Sequence, residues 1–289
     1  MKFVTLADLA RTIRGNIWKI PHDIDFVIGI PRSGVLAASI IAEFLNAPLI
    51  DLDSFAFGAK PTGGRRLRFH PDLKRAIPHV LVVDDTIFHG RSLGAANAKL
   101  SPFAGKYHFT SLAVYLEGPC SDVDIWMEDL REYTEGFTSF VLYEWNIFHH
   151  IPGFMGVCIY DIDGVLCVDP PDERLGQPYE DYIRDAVPLF TPTVPIGEIV
   201  SYRLERYRGV TENWLAEHGI KYQRLTMFPA QSWEERRESA TPPASFKARI
   251  YIERNWAKLF VESSDAQARE IYRLTGKPVY CVETNKMYD

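Results

Sequence analysis

The chain has 289 residues, enough for two domains at about 150 residues each and for a sizeable core. With 46% hydrophobic and 24% charged residues, 19 Gly and 19 Pro, its composition excludes a wholly disordered, collagenous or coiled-coil chain. The formal charge of −6, from 38 acidic against 32 basic residues, disfavours general adhesion to nucleic acid, because displacing phosphate counterions takes a broad cationic face.

The first half alternates short apolar runs with helical patterns: Phe26 to Ile30, Ser33 to Leu45, Ala47 to Leu52, Val80 to Val83, Ser92 to Leu100 and Phe109 to Tyr115. Such alternation predicts a mainly parallel sheet flanked by helices. Between Ser54 and Arg75 no period is clear, and that stretch holds Lys60, Arg65, Arg66, Arg68, Lys74 and Arg75 against the single acid Asp72. A long aperiodic loop of that kind is usually functional. The pattern restarts at Val157 to Tyr160 and continues through Glu198 to Val200, Glu205 to His218, Lys247 to Arg254, Leu259 to Val261, Asp265 to Leu274 and Val279 to Val282. The expected fold is therefore α/β with two domains, 1–152 and 153–289, parted at the Ile151-Pro152-Gly153 breaker.

No run approaches the ~18 apolar residues of a membrane span. The richest, Val35 to Leu45, is broken by Ser39 and Glu43, and the start of the chain, with Asp8, Arg11 and Arg14, lacks an apolar signal region. Cys120, Cys158, Cys167 and Cys281 show no metal-site or disulfide spacing. A soluble protein of the reducing cytoplasm, with no membrane partner, is the expectation.

Residues 79–92 read HVLVVDDTIFHGRS: an apolar strand, two adjacent acids, then a loop whose Gly90 opens a helix. Open α/β sheets bind ligands at the carboxyl ends of their strands, which is where Asp84 and Asp85 are expected. A helix N-terminus presents free amides suited to a phosphate, while carboxylates suit a vicinal diol and its Mg²⁺. Together they describe a ribose 5-phosphate. The segment resembles the phosphoribosyl-pyrophosphate loop of the type I phosphoribosyltransferases. The resemblance implies that Asp84, Asp85, Thr86, His89, Gly90, Arg91 and Ser92 bind the ribose phosphate, although Phe88 and His89 stand where the family carries small hydroxyl residues. Upstream, residues 26–34 read FVIGIPRSG, and in the same family this is the place of the pyrophosphate loop, which implies a binding role for Arg32, Ser33 and Gly34 beside Gly29. Arg32 offers charge-assisted hydrogen bonds to pyrophosphate. The basic stretch, through Lys60, Arg65, Arg66 or Arg68, is expected to close over that leaving group. Trp145, in an aromatic-rich segment, is a candidate to stack the base.

Residues 156–166 read GVCIYDIDGVL. Asp161 and Asp163 lie two apart after a strand, so both face one side, and Gly164 permits a sharp turn. Phosphoryl transfer through a carboxylate needs such a pair, one acid as nucleophile and one to protonate the leaving alcohol. This resembles the first signature of the haloacid dehalogenase superfamily. Ser201, Lys247 and the Glu262 to Asp265 strand end follow in the family's order. The resemblance implies attack by Asp161, acid and base work by Asp163, phosphoryl binding by Ser201 and Lys247, with Lys258 the alternative lysine. It implies Mg²⁺ on Asp161, the residue 163 carbonyl and either Glu262 or Asp265. The segment available for a cap is short, so the cap is expected to be small.

Phosphoribosyl pyrophosphate, a nitrogen base and a phosphomonoester are thus the expected partners, Mg²⁺ the cofactor, and a homodimer is compatible with this reading. The reading is a bifunctional transferase and phosphatase of nucleotide-like metabolism. The alternative is a regulatory protein whose first half only binds phosphoribosyl pyrophosphate or a nucleotide and controls the phosphatase.

Overall fold

The computed structural model describes residues 1–64, 76–119, 122–134, 140–149, 152–170 and 177–289. Arg65, Arg66, Arg68, Lys74, Arg75, Cys120 and Ile151 lie outside the described residues. The chain divides into two compact units, Met1–Trp145 and Asn146–Asp289, a division that falls ahead of the Ile151-Pro152-Gly153 breaker.

The first unit runs β1 (Lys2–Val4), α1 (Leu6–Asn16), β2 (Phe26–Gly29), α2 (Ser33–Leu45), β3 (Leu49–Asp51), α3 (Leu52–Ala56), β4 (His79–Ile87), α4 (Arg91–Leu100), β5 (His108–Leu116), β6 (Ile125–Asp129) and β7 (Val141–Tyr143). Five strands form a parallel sheet in the order β3-β2-β4-β5-β6, while β1 pairs with β7 apart from it. Every residue of β2 is buried because both sheet faces are covered. Val27, Leu81 and Val83 pack with Leu9 and Ile13 of α1 and Ala37 and Ile41 of α2. Their alternates Phe26, Ile28, Val80 and Val82 pack with Phe55 of α3 and Leu93 and Ala96 of α4.

The second unit runs α5 (Pro152–Met155), β8 (Cys158–Tyr160), α6 (Gln177–Asp185), β9 (Ile196–Leu204), α7 (Arg208–Glu217), β10 (Tyr222–Phe228), α8 (Trp233–Glu238), α9 (Pro243–Glu253), β11 (Leu259–Glu262), α10 (Asp265–Thr275), β12 (Val279–Cys281) and β13 (Lys286–Tyr288). Its sheet has the order β10-β9-β8-β11-β12-β13, parallel except for the last pair. Strands β9 and β11 flank β8, which brings three strand ends side by side.

The elements depart from the sequence pattern in several places. Strand β4 continues to Ile87, so Asp84 and Asp85 lie within it and not at its end. Helix α9 starts at Pro243, which puts Lys247 inside the helix. Leu52 opens α3 and does not close β3, and a 3-10 turn over Glu205–Tyr207 precedes α7. Cys158, Cys167 and Cys281 are buried free thiols. Among the described residues no helix is long and apolar enough to cross a membrane.

Candidate functional sites

In the first unit, the turn between β2 and α2 and the acids of β4 meet directly. A Cβ on Gly34 would stand 2.9 Å from Asp84 Oδ1 and 2.8 Å from the Val83 carbonyl, so only glycine lets α2 begin this close to the acid pair. The Ile30 N–H donates to the Val83 carbonyl (2.9 Å), fixing the turn to β4. The Pro31–Arg32 peptide is cis. Arg32 is exposed and Ser33 half-buried at the start of α2.

Asp84 and Asp85 are 7% and 4% exposed, yet among the described residues no cation pairs with either. Burial, the Asp85 charge and a hydrogen bond between the two carboxyls push Asp84 up to about 8. Asp85 accepts from the Trp145 indole N–H (2.9 Å), so Trp145 serves to hold an acid, with its ring tilted against Tyr143. Beyond β4, Gly90 takes a left-handed φ of 66° and opens α4 with no side-chain cap, leaving the first amides of the helix free. Thr86 and Gly90 are half-buried, and His89, Arg91, Ser92 and Lys60 are exposed.

The uncompensated acid pair carries a stability prediction. In the unfolded chain Asp84 ionises near its ordinary 3.8, whereas in the folded state it holds its proton to about 8. Stability therefore falls as pH rises between those two values. Asp84→Asn is expected to stabilise the ligand-free protein by on the order of 1–3 kcal/mol near pH 8 and by less at pH 5. Thermal unfolding at the two pH values checks this, and an equal gain at both would refute it.

In the second unit, Asp161 follows β8 and is held at both oxygens, Oδ1 by the Ile162 N–H (2.8 Å) and Oδ2 by Lys247 Nζ (2.6 Å). Lys247 also reaches Glu262 Oε2 (2.7 Å) and Gln267 (3.0 Å), and only 2% of it is exposed. Glu262 Oε1 accepts from the Ser263 and Ser264 N–H groups. Burial, partly offset by Lys247, pushes Asp161 up to about 7, and the Glu262 and Asp163 charges add to the rise. Burial opposes the charge on Lys247, but Asp161 and Glu262 outweigh it and hold the amine above the usual lysine range.

Asp163 faces a different cation. Arg203, 1% exposed, grips it with Nε on Oδ2 (3.0 Å) and Nη2 on Oδ1 (2.6 Å). The same guanidinium reaches Cys167 Sγ (3.3 Å) and Thr211 (3.4 Å). Ser201 is fully buried, and its Oγ accepts from the Arg203 backbone N–H (3.2 Å). Gly164 has φ of 71°, and a Cβ there would meet Ser263 at 2.5 Å, so the turn after Asp163 needs glycine twice over. Asp265 is turned elsewhere: the Tyr288 hydroxyl, with Arg269 and Thr284, holds it below the usual carboxylate range.

The structure thus gathers Asp161, Lys247 and Glu262 into one cluster, with Asp163 on Arg203 beside it, and leaves Asp265 outside those bonds. Sequence reasoning passed over Gln267 and gave Arg203 no role. Removing the Asp163 carboxylate strands a buried guanidinium. Asp163→Ala is expected to destabilise the protein by about 3–5 kcal/mol, read by urea unfolding, and a loss under 1 kcal/mol would show that the pair is not held as described.

Among the described residues no group of three or more His, Cys, Asp or Glu is arranged to hold a metal ion. The Asp84–Asp85 pair suits Mg²⁺ that arrives bound to a substrate, because two buried carboxylates without a cation have unspent acceptor capacity. Around Asp161 the three carboxylates of Asp161, Asp163 and Glu262 face the two cations Lys247 and Arg203, a donor set with one negative charge in excess that fits Mg²⁺ as well.

The first unit has an all-parallel sheet with an acid pair on its central strand, beside an uncapped helix start. Residues 4–109 match the family model of the phosphoribosyl transferase domain, and the N-terminal unit is a phosphoribosyltransferase-like domain. Purine phosphoribosyltransferase from Pyrococcus horikoshii Ot3 is similar at 18% identity over 52% of this chain and 97% of its own, with a TM-score of 0.36. The xanthine-guanine-hypoxanthine phosphoribosyltransferase of Helicobacter pylori is similar at 16% identity over 50% of this chain and 93% of its own, with a TM-score of 0.35. A chain of the Pnkp1/Rnl/Hen1 complex is similar at 12% identity over 97% of this chain and 94% of its own, with a TM-score of 0.32. No curated protein matches the chain.

Proposed function

We propose that the chain is a bifunctional enzyme: residues 1–152 transfer phosphoribosyl from phosphoribosyl pyrophosphate to a nitrogen base, and residues 153–289 hydrolyse a phosphomonoester in the manner of the haloacid dehalogenase superfamily. The observation that carries the first half is the buried, cation-free Asp84–Asp85 pair packed against Gly34. Asp84 and Asp85 take the ribose diol, and the amides of residues 89–92 take the 5-phosphate. Arg32, Ser33 and the Gly34 amide take the pyrophosphate. Mg²⁺ supplies charge neutralisation on the pyrophosphate when bound. As the bond from C1 to the acceptor nitrogen forms, the bond from C1 to pyrophosphate breaks, and the nitrogen gives up its proton to the departing pyrophosphate. Positioning and charge stabilisation dominate such a displacement.

The second half rests on Asp161 lying 2.6 Å from a buried Lys247. Asp161 attacks phosphorus while the ester oxygen leaves with a proton from Asp163, a role that requires Asp163 to loosen its two bonds to Arg203 and take up a proton when substrate binds. Asp163 then takes a proton from the water that cleaves the aspartyl phosphate. Lys247 balances charge on the phosphoryl oxygens, while Ser201, fully buried inside β9 with its Oγ on the Arg203 N–H, braces the strand that carries Arg203. Asp161, the residue 163 carbonyl and Glu262 would hold Mg²⁺, which would neutralise phosphate charge. Glu262 suits this role better than Asp265 because it shares Lys247 with Asp161. On this reading the protein is a soluble cytoplasmic enzyme acting on small phosphorylated molecules.

A panel of free bases incubated with phosphoribosyl pyrophosphate and Mg²⁺, read by mass spectrometry for nucleotide and pyrophosphate, tests the transferase. Exposed Phe88 and His89 in the phosphate loop favour a second reading, a regulatory half that binds phosphoribosyl pyrophosphate without turnover. Calorimetric binding with no pyrophosphate release from any base would select it.

A further inference from the structure

A third carboxylate, outside both phosphate-binding motifs, stands beside the acid pair. Glu117 follows β5 directly, and its N–H donates to the Ile87 carbonyl (2.8 Å) at the end of β4. Tyr143 of β7 donates its hydroxyl to Glu117 Oε1. The Tyr143 ring lies 4.8 Å from that of Trp145, whose indole N–H holds Asp85. One short aromatic segment therefore grips two carboxylates, Asp85 through Trp145 and Glu117 through Tyr143.

The two acids also feel each other. Burial raises the Glu117 pKa, and the Asp85 charge raises it further against the Tyr143 hydrogen bond. Glu117 is half-buried, so a ligand can reach it, and of its two carboxyl oxygens only Oε1 has a hydrogen-bond partner among the described residues. None of Asp84, Asp85 and Glu117 forms an ion pair among the described residues. Tyr143 and Trp145 thus tie Glu117 to an acid proposed to take the diol, which leaves its second oxygen available to a ligand bound beside that acid.

Resting on the transferase reading of this site, we infer that Glu117 selects the acceptor. Its free oxygen accepts a hydrogen bond from an N–H of a neutral or cationic nitrogen base, and the local negative charge rejects a base that carries its own carboxylate. A charged acceptor in a partly dry site rewards a matching N–H strongly. A second carboxylate placed against it is a like-charge contact, the repulsive element that specificity commonly uses.

Three probes separate this inference from the reading beneath it. Ribose 5-phosphate has the diol and phosphate but no base, guanosine 5-monophosphate adds a base edge of N–H donors, and orotidine 5-monophosphate adds a base bearing a carboxylate. Calorimetry should show ribose 5-phosphate binding equally to wild type and to Glu117→Gln, whose amide oxygen still accepts from Tyr143. Wild type should prefer the guanosine over the orotidine nucleotide by about tenfold or more, and Glu117→Gln should cut that ratio by about tenfold. If ribose 5-phosphate binds and the ratio is the same in both proteins, the transferase reading stands and the role of Glu117 is overturned. If wild type fails to bind ribose 5-phosphate at all, the reading and the inference fall together.

Discussion

Asp161→Asn is expected to abolish phosphomonoester hydrolysis, lowering kcat on a generic aryl phosphate by about a thousandfold or more, because an amide cannot form the aspartyl phosphate. The substitution is nearly isosteric, and Lys247 keeps Glu262 at 2.7 Å and Gln267 at 3.0 Å, so the cluster survives. Beryllium fluoride, which mimics the aspartyl phosphate, should bind wild type and not the variant. Should the first site make a nucleoside monophosphate that the second consumes, base plus phosphoribosyl pyrophosphate will end as nucleoside and inorganic phosphate with wild type and as nucleotide with Asp161→Asn. Phosphatase turnover near the wild-type rate would move the nucleophile elsewhere, and nucleotide as the end product with wild type for every base would separate the two activities.

The double variant Asp84→Asn with Asp85→Asn should weaken phosphoribosyl pyrophosphate binding by about a hundredfold or more in calorimetry, while aryl-phosphate hydrolysis persists. Asp85, and Asp84 once the diol and its Mg²⁺ draw off its proton, are charged acceptors that the variant replaces by neutral amides, and hydrogen bonds to charged groups are each worth about 1.5–3 kcal/mol. The variant should also fold at least as well as wild type, because it removes the cost of burying two neighbouring acids without a cation, the cost that raises Asp84. Retained stability with lost binding is therefore the diagnostic combination. Unchanged affinity would remove the acid pair from the ligand site.

The basic loop, the part of the expected transferase with the densest positive charge, lies mostly outside the described residues; Lys60, exposed, is its described member. The strands that carry the sites were visible in the chain for a simple reason. Parallel strands covered on both faces read as unbroken apolar runs, as in Phe26 to Ile30 and Val80 to Val83. Two of the edge strands lack that signature: β10 begins the second sheet with Gln223 and Arg224 exposed, and β6 ends the first with Trp126 exposed. Both escaped the sequence pattern.

By itself the sequence determined what depends on neighbours along the chain: the adjacent acids Asp84 and Asp85, the Asp161 and Asp163 pair after a strand, and the glycines at 34, 90 and 164 that their turns require. Periodicity and local turn chemistry carry that information. Only the tertiary structure decided which distant residues complete each site. Lys247 reaches Asp161 across 86 positions and Arg203 reaches Asp163 across 40, while Trp145 finds Asp85 across 60. No local pattern marks these partners, because their choice follows from how parallel strands bring their ends together and from the cost of leaving a buried charge without a counter-charge. The same packing separates Glu262 from Asp265. The first ends a central strand and shares Lys247, whereas the second opens α10 and turns to Arg269 and Tyr288.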